Sequence, residues 1–204
     1  MIKIIDYGMG NLKSVAKGFE KVGYQVEITN DPQEILAARG VVLPGVGAFS
    51  DAMNNLRELE LIEPIQKVIE QGVPFLGICL GLQLLFSESE EFGLTKGLDI
   101  IPGTVKKFPT DLGLKIPHIG WNQLKIEQKT EIYQGLEEGV FQYFVHSYYV
   151  EPDDDEVIAT VTDYGLEFVS SIAQDNIYAV QFHPEKSSQD GLQILNNFGA
   201  LVKS

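Results

Sequence analysis

At 204 residues, 44% of them hydrophobic and 22% charged, the chain has the composition of one globular domain (residues 1–204), large enough to bury a core without cross-links. With 29 acidic against 15 basic residues and a net charge of −14, nucleic acid and anionic membranes are excluded as natural partners. A single cysteine excludes a disulfide framework, and neither a signal peptide nor a run of membrane-spanning length is legible, so a reducing, cytoplasmic setting is expected.

In chain order, Lys3–Asp6 reads as a first strand and Gly8–Asn11 as a turn. Leu12, Val15, Ala16 and Phe19 then recur at helical spacing. Tyr24–Ile28 is a second strand and Gly40–Leu43 a third, ending at Pro44-Gly45. Ser50 is placed to cap a long helix carrying Met53, Leu56, Leu59 and Ile62, with Pro64 opening a further turn. Val73–Ile78 is the next strand. This alternation of helices with strands that are apolar on both sides predicts a mostly parallel sheet with helices on both faces.

After Phe92 the rhythm changes to strand-like runs: Thr104–Phe108, Trp121–Ile126, Gln142–Val150, Glu156–Thr162, Phe168–Ala173 and Tyr178–Phe182. Asp175-Asn176 marks a hairpin turn between the last two. These runs read as antiparallel additions to the sheet. Asp153–Glu156 reads as a solvated loop, and a final helix over Gly191–Val202 turns Leu192, Leu195, Phe198 and Val202 inward.

The chemistry concentrates at Gly77-Ile78-Cys79-Leu80-Gly81, where an apolar strand gives way to a helical run. This is the order of a nucleophile elbow with cysteine in place of serine. The turn is sharp enough that strand and helix collide unless the flanking positions are glycine. The sulfur is then expected at the exposed tip of the strand, at a helix N-terminus whose free N–H groups favour a thiolate. A cysteine nucleophile needs a base, and the chain has 3 histidines, His118, His146 and His183. In Phe182-His183-Pro184-Glu185 an extended backbone puts His183 and Glu185 on one side, where the carboxylate can orient the imidazole. A tetrahedral oxyanion also needs donors. The Leu80 N–H, after the nucleophile, is one; the Pro44-Gly45-Val46-Gly47 loop, with Val46 and Gly47, is the second expected source. The loop has neither the length nor the residues of a phosphate-binding loop.

Taken together, Gly-Ile-Cys-Leu-Gly-Leu-Gln, Pro-Gly-Val-Gly and Phe-His-Pro-Glu resemble the class I, triad-type glutamine amidotransferases, which have a flavodoxin-like α/β fold. The blocks from Asp6 to Val15, Pro117 to Asn122, Tyr143 to Tyr148 and His183 to Ser187 are similar to one branch, the glutaminase subunits of imidazole glycerol phosphate synthase. The resemblance implies an enzyme with a Cys79, His183, Glu185 triad. Its substrate is glutamine, contacted by Gly47, Gln83, Glu91, His146, Ser147 and Tyr148. No cofactor or metal is implied. The resemblance further implies a heterodimer with a separate (β/α)8 cyclase subunit that uses the ammonia in histidine biosynthesis. Asn11 and Trp121 are candidates for the docking face.

Read without the resemblance, several of these residues have plainer roles. Ser87–Glu91 reads as a solvated helix end, His146 as a core histidine, Asn11 as a helix cap and Trp121 as a buried packing residue. Two other functions stay open on sequence: the glutaminase of a different class I amidotransferase, and a non-catalytic α/β binding module that kept the fold.

Overall fold

The structure is a computed structural model that describes residues 1–203. The first half alternates strands with helices: β1 (Ile2–Ile5), α1 (Leu12–Lys21), β2 (Val26–Thr29), α2 (Pro32–Leu36), β3 (Gly40–Gly45), α3 (Phe49–Glu58), α4 (Ile62–Glu70), β4 (Phe75–Cys79) and α5 (Leu80–Leu84). The second half is mostly strand. It runs β5 (Phe86–Ser89), β6 (Thr95–Lys96), β7 (Ile101–Lys107), β8 (His118–Gln123), β9 (Lys125–Ile126), β10 (Phe141–His146), β11 (Tyr148–Pro152), β12 (Ile158–Asp163), β13 (Glu167–Gln174) and β14 (Ile177–Val180), closed by α6 (Ser188–Lys203).

The main sheet has 12 strands, with the path β2-β1-β3-β4-β14-β13-β11-β7-β5-β6 and with β12 and β9 branching from β13. β1, β2, β3, β4 and β14 pair in parallel, and β13, β12 and β11 add antiparallel pairings. Alternate residues of the parallel strands feed two cores. Ile5, Val41, Leu43 and Phe75 pack under α3 and α4, whereas Ile2, Ile4, Val42, Leu76 and Ile78 pack under α1 and α6. That division is the period of two of a strand buried on both faces. The α6 residues Leu195, Phe198 and Val202 do point inward, joined by Ile194, while Leu192 is only partly buried.

Several readings are corrected. Ser50 does not cap α3: the cap position is Ala48, and the Phe49 N–H donates at 2.6 Å to the carboxylate of Glu91, 42 residues away. The long helix is two helices, because Glu60 adopts a left-handed φ of 56° between Glu58 and Ile62. The short helix α2, capped by Asp31, was not legible as a separate element. Ser87–Glu91 is no helix end: β5 occupies Phe86–Ser89, and Ser89 is fully buried. The run Gln142–Val150 breaks at Ser147. β10 pairs with β8 in a separate two-stranded sheet, whereas β11 enters the main sheet beside β7. That corner forms one wall of the site below.

Candidate active site

β4 ends at Cys79 with φ 57° and ψ −109°, a left-handed conformation rare for a residue with a side chain. Strand parity would send Cys79 to the same face as Phe75, but this dihedral swings it into the core under α1 and α6. The flanking glycines are required by packing. A Cβ on Gly77 would sit 2.8 Å from the Gly81 carbonyl oxygen, and one on Gly81 would overlap the Leu43 carbonyl of β3. The thiol is not exposed at the strand tip as expected; Cys79 is only 6% accessible, at the floor of a cavity.

His183 follows β14, which lies beside β4. Its N–H donates to the Tyr143 carbonyl at 2.9 Å, and its own carbonyl accepts from the Ser187 hydroxyl at 2.6 Å. Pro184–Lys186 is a 3-10 turn and not an extended strand end. The turn nevertheless delivers the expected pair, Glu185 Oε1 lying 2.8 Å from His183 Nδ1 with both side chains almost fully buried. Burial by itself would lower the His183 pKa. The attraction of the Cys79 sulfur and of the Glu185 carboxylate outweighs it and raises the value from 6.5 to about 9. At neutral pH the imidazole therefore carries a proton, its charge attracted to the sulfur, while its buried Nε2 makes no hydrogen bond among the described residues.

The cavity holds about 280 Å³, suited to a ligand no larger than an amino acid. Around Cys79 and Leu80 it gathers Val46 and Gly47 of the loop after β3, then Gln83, Glu91, His146, Ser147 and Tyr148. All the residues expected around substrate thus line one space, together with Pro117 and Val145, which sequence reasoning did not single out. Gly45 pairs in register with Cys79, which fixes the base of the loop beside the thiol. Beyond it Val46 is exposed, and Gly47 has φ 104°, a conformation open to glycine. The Glu91 carboxylate also caps α3 directly after this loop.

His146, which lines the cavity, forms a buried pair with His118 behind it. His146 Nδ1 lies 2.8 Å from the Tyr148 carbonyl, which can only accept, so Nδ1 carries the hydrogen and Nε2 accepts. At 2.9 Å from that Nε2, His118 Nδ1 is the donor; His118 Nε2 then accepts from Asn122 Nδ2 at 3.3 Å, and the same amide nitrogen donates to the Asp163 carbonyl. Stacked between Phe144 and Tyr164, His118 is pushed down to about 4 by burial. Burial is also the main cause holding His146 at about 3. Both rings are therefore neutral, and with their proton affinity lowered and each Nε2 already accepting a hydrogen bond, neither is suited to act as the base. Long-range ¹H–¹⁵N spectra are expected to report Nδ1–H tautomers for both, unchanged between about pH 5 and 8. A titration of either ring near 6.5 would contradict this arrangement.

Asn11 occupies the cap position of α1 but makes no side-chain cap bond and is exposed. Trp121 is not buried: it is 50% accessible on the outer face of the β8–β10 sheet with Ile119 and Phe141, its ring edge-on to Tyr143 at 6.0 Å. Gln181 is the neighbour of Cys79 that sequence reasoning passed over. It is fully buried, with Nε2 3.7 Å from the Cys79 sulfur. The only signal in the sequence was a polar amide between Val180 and Phe182, two residues before the histidine.

Residues 3–201 match the family model described as glutamine amidotransferase class-I. The imidazole glycerol phosphate synthase subunit HisH of Moorella thermoacetica is 57% identical over 202 residues, spanning 99% of this chain and 95% of that protein. The subunit HisH of Aquifex aeolicus is 58% identical over 196 residues, spanning 96% and 94%. Among solved structures, one described as a glutamine amidotransferase superposes with a TM-score of 0.77 at 16% identity, covering 100% of this chain and 99% of that one. The glutaminase domain of Trypanosoma brucei CTPS, solved with bound acivicin, gives 0.70 at 19% identity, covering 99% and 93%; both show a shared fold.

Proposed function

Because the chain belongs to the class-I glutamine amidotransferase family, in the branch of imidazole glycerol phosphate synthase subunit HisH, we propose that it hydrolyses glutamine to glutamate and ammonia for a partner cyclase. In this reading, all 204 residues form one amidotransferase domain without cofactor or metal. The observation that carries it is the buried His183–Glu185 pair at 2.8 Å, set beside a cysteine on an elbow at the floor of an amino-acid-sized cavity.

The Cys79 sulfur attacks the side-chain carboxamide carbon of glutamine, forming a C–S bond and an oxyanion. The Leu80 N–H and the N–H groups of Val46 and Gly47 receive that oxyanion. Collapse breaks the C–N bond, and His183 gives its proton to the departing ammonia. Water then adds to the glutamyl thioester with His183 as base, and the C–S bond breaks to release glutamate. Glu185 keeps the imidazole oriented and its charge balanced. Gly47, Gln83, Glu91, His146, Ser147 and Tyr148 contact or enclose the substrate.

The partner is a (β/α)8 cyclase forming a heterodimer, with Asn11 and Trp121 on the docking face. The half-exposed Trp121, beside exposed Ile119 and Phe141, supports that face. Among the described residues no helix is long and apolar enough to cross a membrane, and the reaction is assigned to the cytoplasm. Docking favours the loop orientation whose N–H groups face the oxyanion, a shift between backbone states bounded by the partner's differential affinity for them. Steady-state glutamine hydrolysis of the chain alone, with cyclase, and with cyclase plus an acceptor analogue tests both levels. Stepwise activation of about tenfold or more is expected. Full activity of the isolated chain, unchanged by either addition, would remove the coupling. Absence of hydrolysis in all three would remove the glutaminase assignment.

A further inference from the structure

Two glutamine amides buried at the nucleophile have no part in the triad. Gln83 Nε2 donates one hydrogen to the Tyr148 carbonyl at 3.1 Å and the other to Gln181 Oε1 at 3.0 Å. The Tyr148 carbonyl is itself held by His146 at 2.8 Å. With its oxygen engaged by Gln83, the Gln181 amide has only its nitrogen end left for Cys79, at 3.7 Å. Rotating that amide by half a turn would set N–H against N–H at Gln83 and turn a carbonyl oxygen toward the sulfur. The hydrogen-bond pattern therefore fixes its direction.

The sulfur lies between two opposed neighbours. The Val145 carbonyl, 4.0 Å away, can only accept and favours a neutral thiol. The Gln181 N–H can only donate and favours a thiolate. The protonated imidazole of His183 adds its charge to the donor side.

We propose that Gln181 is a further catalytic residue of this site, its side-chain N–H donating to the Cys79 thiolate, with Gln83 as the positioning residue that aims it. The proposal rests on the glutaminase reading. During acylation the sulfur gives an electron pair to the carboxamide carbon, and ammonia leaves with the His183 proton. During deacylation water adds to the thioester carbon, its proton passes to His183, and the C–S electron pair returns to sulfur. The Gln181 N–H meets that returning charge. Because the thioester sulfur is uncharged, the donor stabilises the free thiolate more than the acylated state. It thus promotes thiolate departure in the second half-reaction, as donors aimed at developing charge do in general.

The test uses the full chain and two variants, Gln181→Met, which keeps length without a donor, and Gln181→Glu, which keeps shape and replaces the N–H with oxygen. The readout is the pH dependence of Cys79 alkylation by iodoacetamide, with kcat and KM measured in complex with the cyclase. The alkylation midpoint is expected to rise by about one pH unit in Gln181→Met and further in Gln181→Glu. A fall in kcat of about tenfold, with KM nearly unchanged, is expected alongside. Folded variants with an unmoved midpoint, or with KM raised and kcat intact, would reduce Gln181 to a wall of the cavity and overturn the proposal. The wild-type chain supplies a measurement independent of how the variants fold. The side-chain ¹⁵N–H signals of Gln181 must move as the thiol titrates and when Cys79 is alkylated; signals that stay fixed overturn the proposal equally. Wild-type glutamine hydrolysis separates the two levels. A Gln181-dependent alkylation profile without any hydrolysis would sustain the donor and overturn the glutaminase reading.

Discussion

Replacing Cys79 by alanine is expected to abolish glutamine hydrolysis, with a loss on the order of 10⁵-fold or more, the scale of nucleophile removal in catalytic triads. Without sulfur there is no acyl intermediate, and the remaining donors can only assist direct attack by water. The fold is expected to survive, because backbone and not the thiol shapes the site. The left-handed φ of 57° at residue 79 burdens alanine and cysteine alike, since each carries a Cβ. The tight approaches come from Gly77 against the Gly81 carbonyl and Gly81 against the Leu43 carbonyl, neither of which the substitution touches. Ammonia release together with near-ultraviolet circular dichroism and partner binding checks the expectation. In the wild-type protein a diazo-ketone analogue of glutamine is expected to label Cys79 alone. Near-normal turnover by the alanine variant would remove the covalent mechanism.

The part of the site held by neighbours in sequence was legible before the structure. Gly77, Cys79 and Gly81 declare an elbow because a local steric requirement leaves few alternatives, and the two-sided apolar strands around them declare a parallel sheet. Reasoning failed where the deciding contact is remote. Ser50 has the chemistry of a helix cap, yet the α3 N–H is satisfied by Glu91, brought in by the strand that leaves the elbow. The same strand explains why an acidic run resembling a solvated helix end contains the fully buried Ser89. His183 and Glu185 were paired for the wrong local reason: the backbone is a 3-10 turn, and Ser187 and Tyr143 brace it. The continuous aromatic run from Gln142 to Val150 hides the corner at Ser147, because only the competition of two sheets for one strand creates it. Gln181 went unread since a buried amide acquires meaning only once Gln83 and the sulfur stand beside it.

His183→Ala is expected to lower glutamine hydrolysis by several orders of magnitude, and Glu185→Gln by distinctly less. The difference follows from what each change leaves behind. Alanine removes the only protonated imidazole facing the sulfur, so ammonia has no acid to leave with and water no base to activate it. His118 and His146 offer no substitute, held neutral at about 4 and about 3 with their nitrogens committed to each other, to Asn122 and to the Tyr148 carbonyl. Glutamine at position 185 still presents an oxygen to His183 Nδ1 and preserves the geometry, but removes a charge from a pair that solvent hardly screens. The wild-type imidazole is raised from 6.5 to about 9, so its stabilising ion pairing is complete below 6.5 and is lost as pH rises through about 9. Losing the Glu185 charge lowers that upper limit. The alkaline limb of kcat/KM in Glu185→Gln is therefore expected at lower pH than in the wild type, with the acid side of the limb kept. Equal tolerance of both substitutions would mean that the base is another group, and an alkaline limb unmoved by Glu185→Gln would detach that carboxylate from the imidazole's charge.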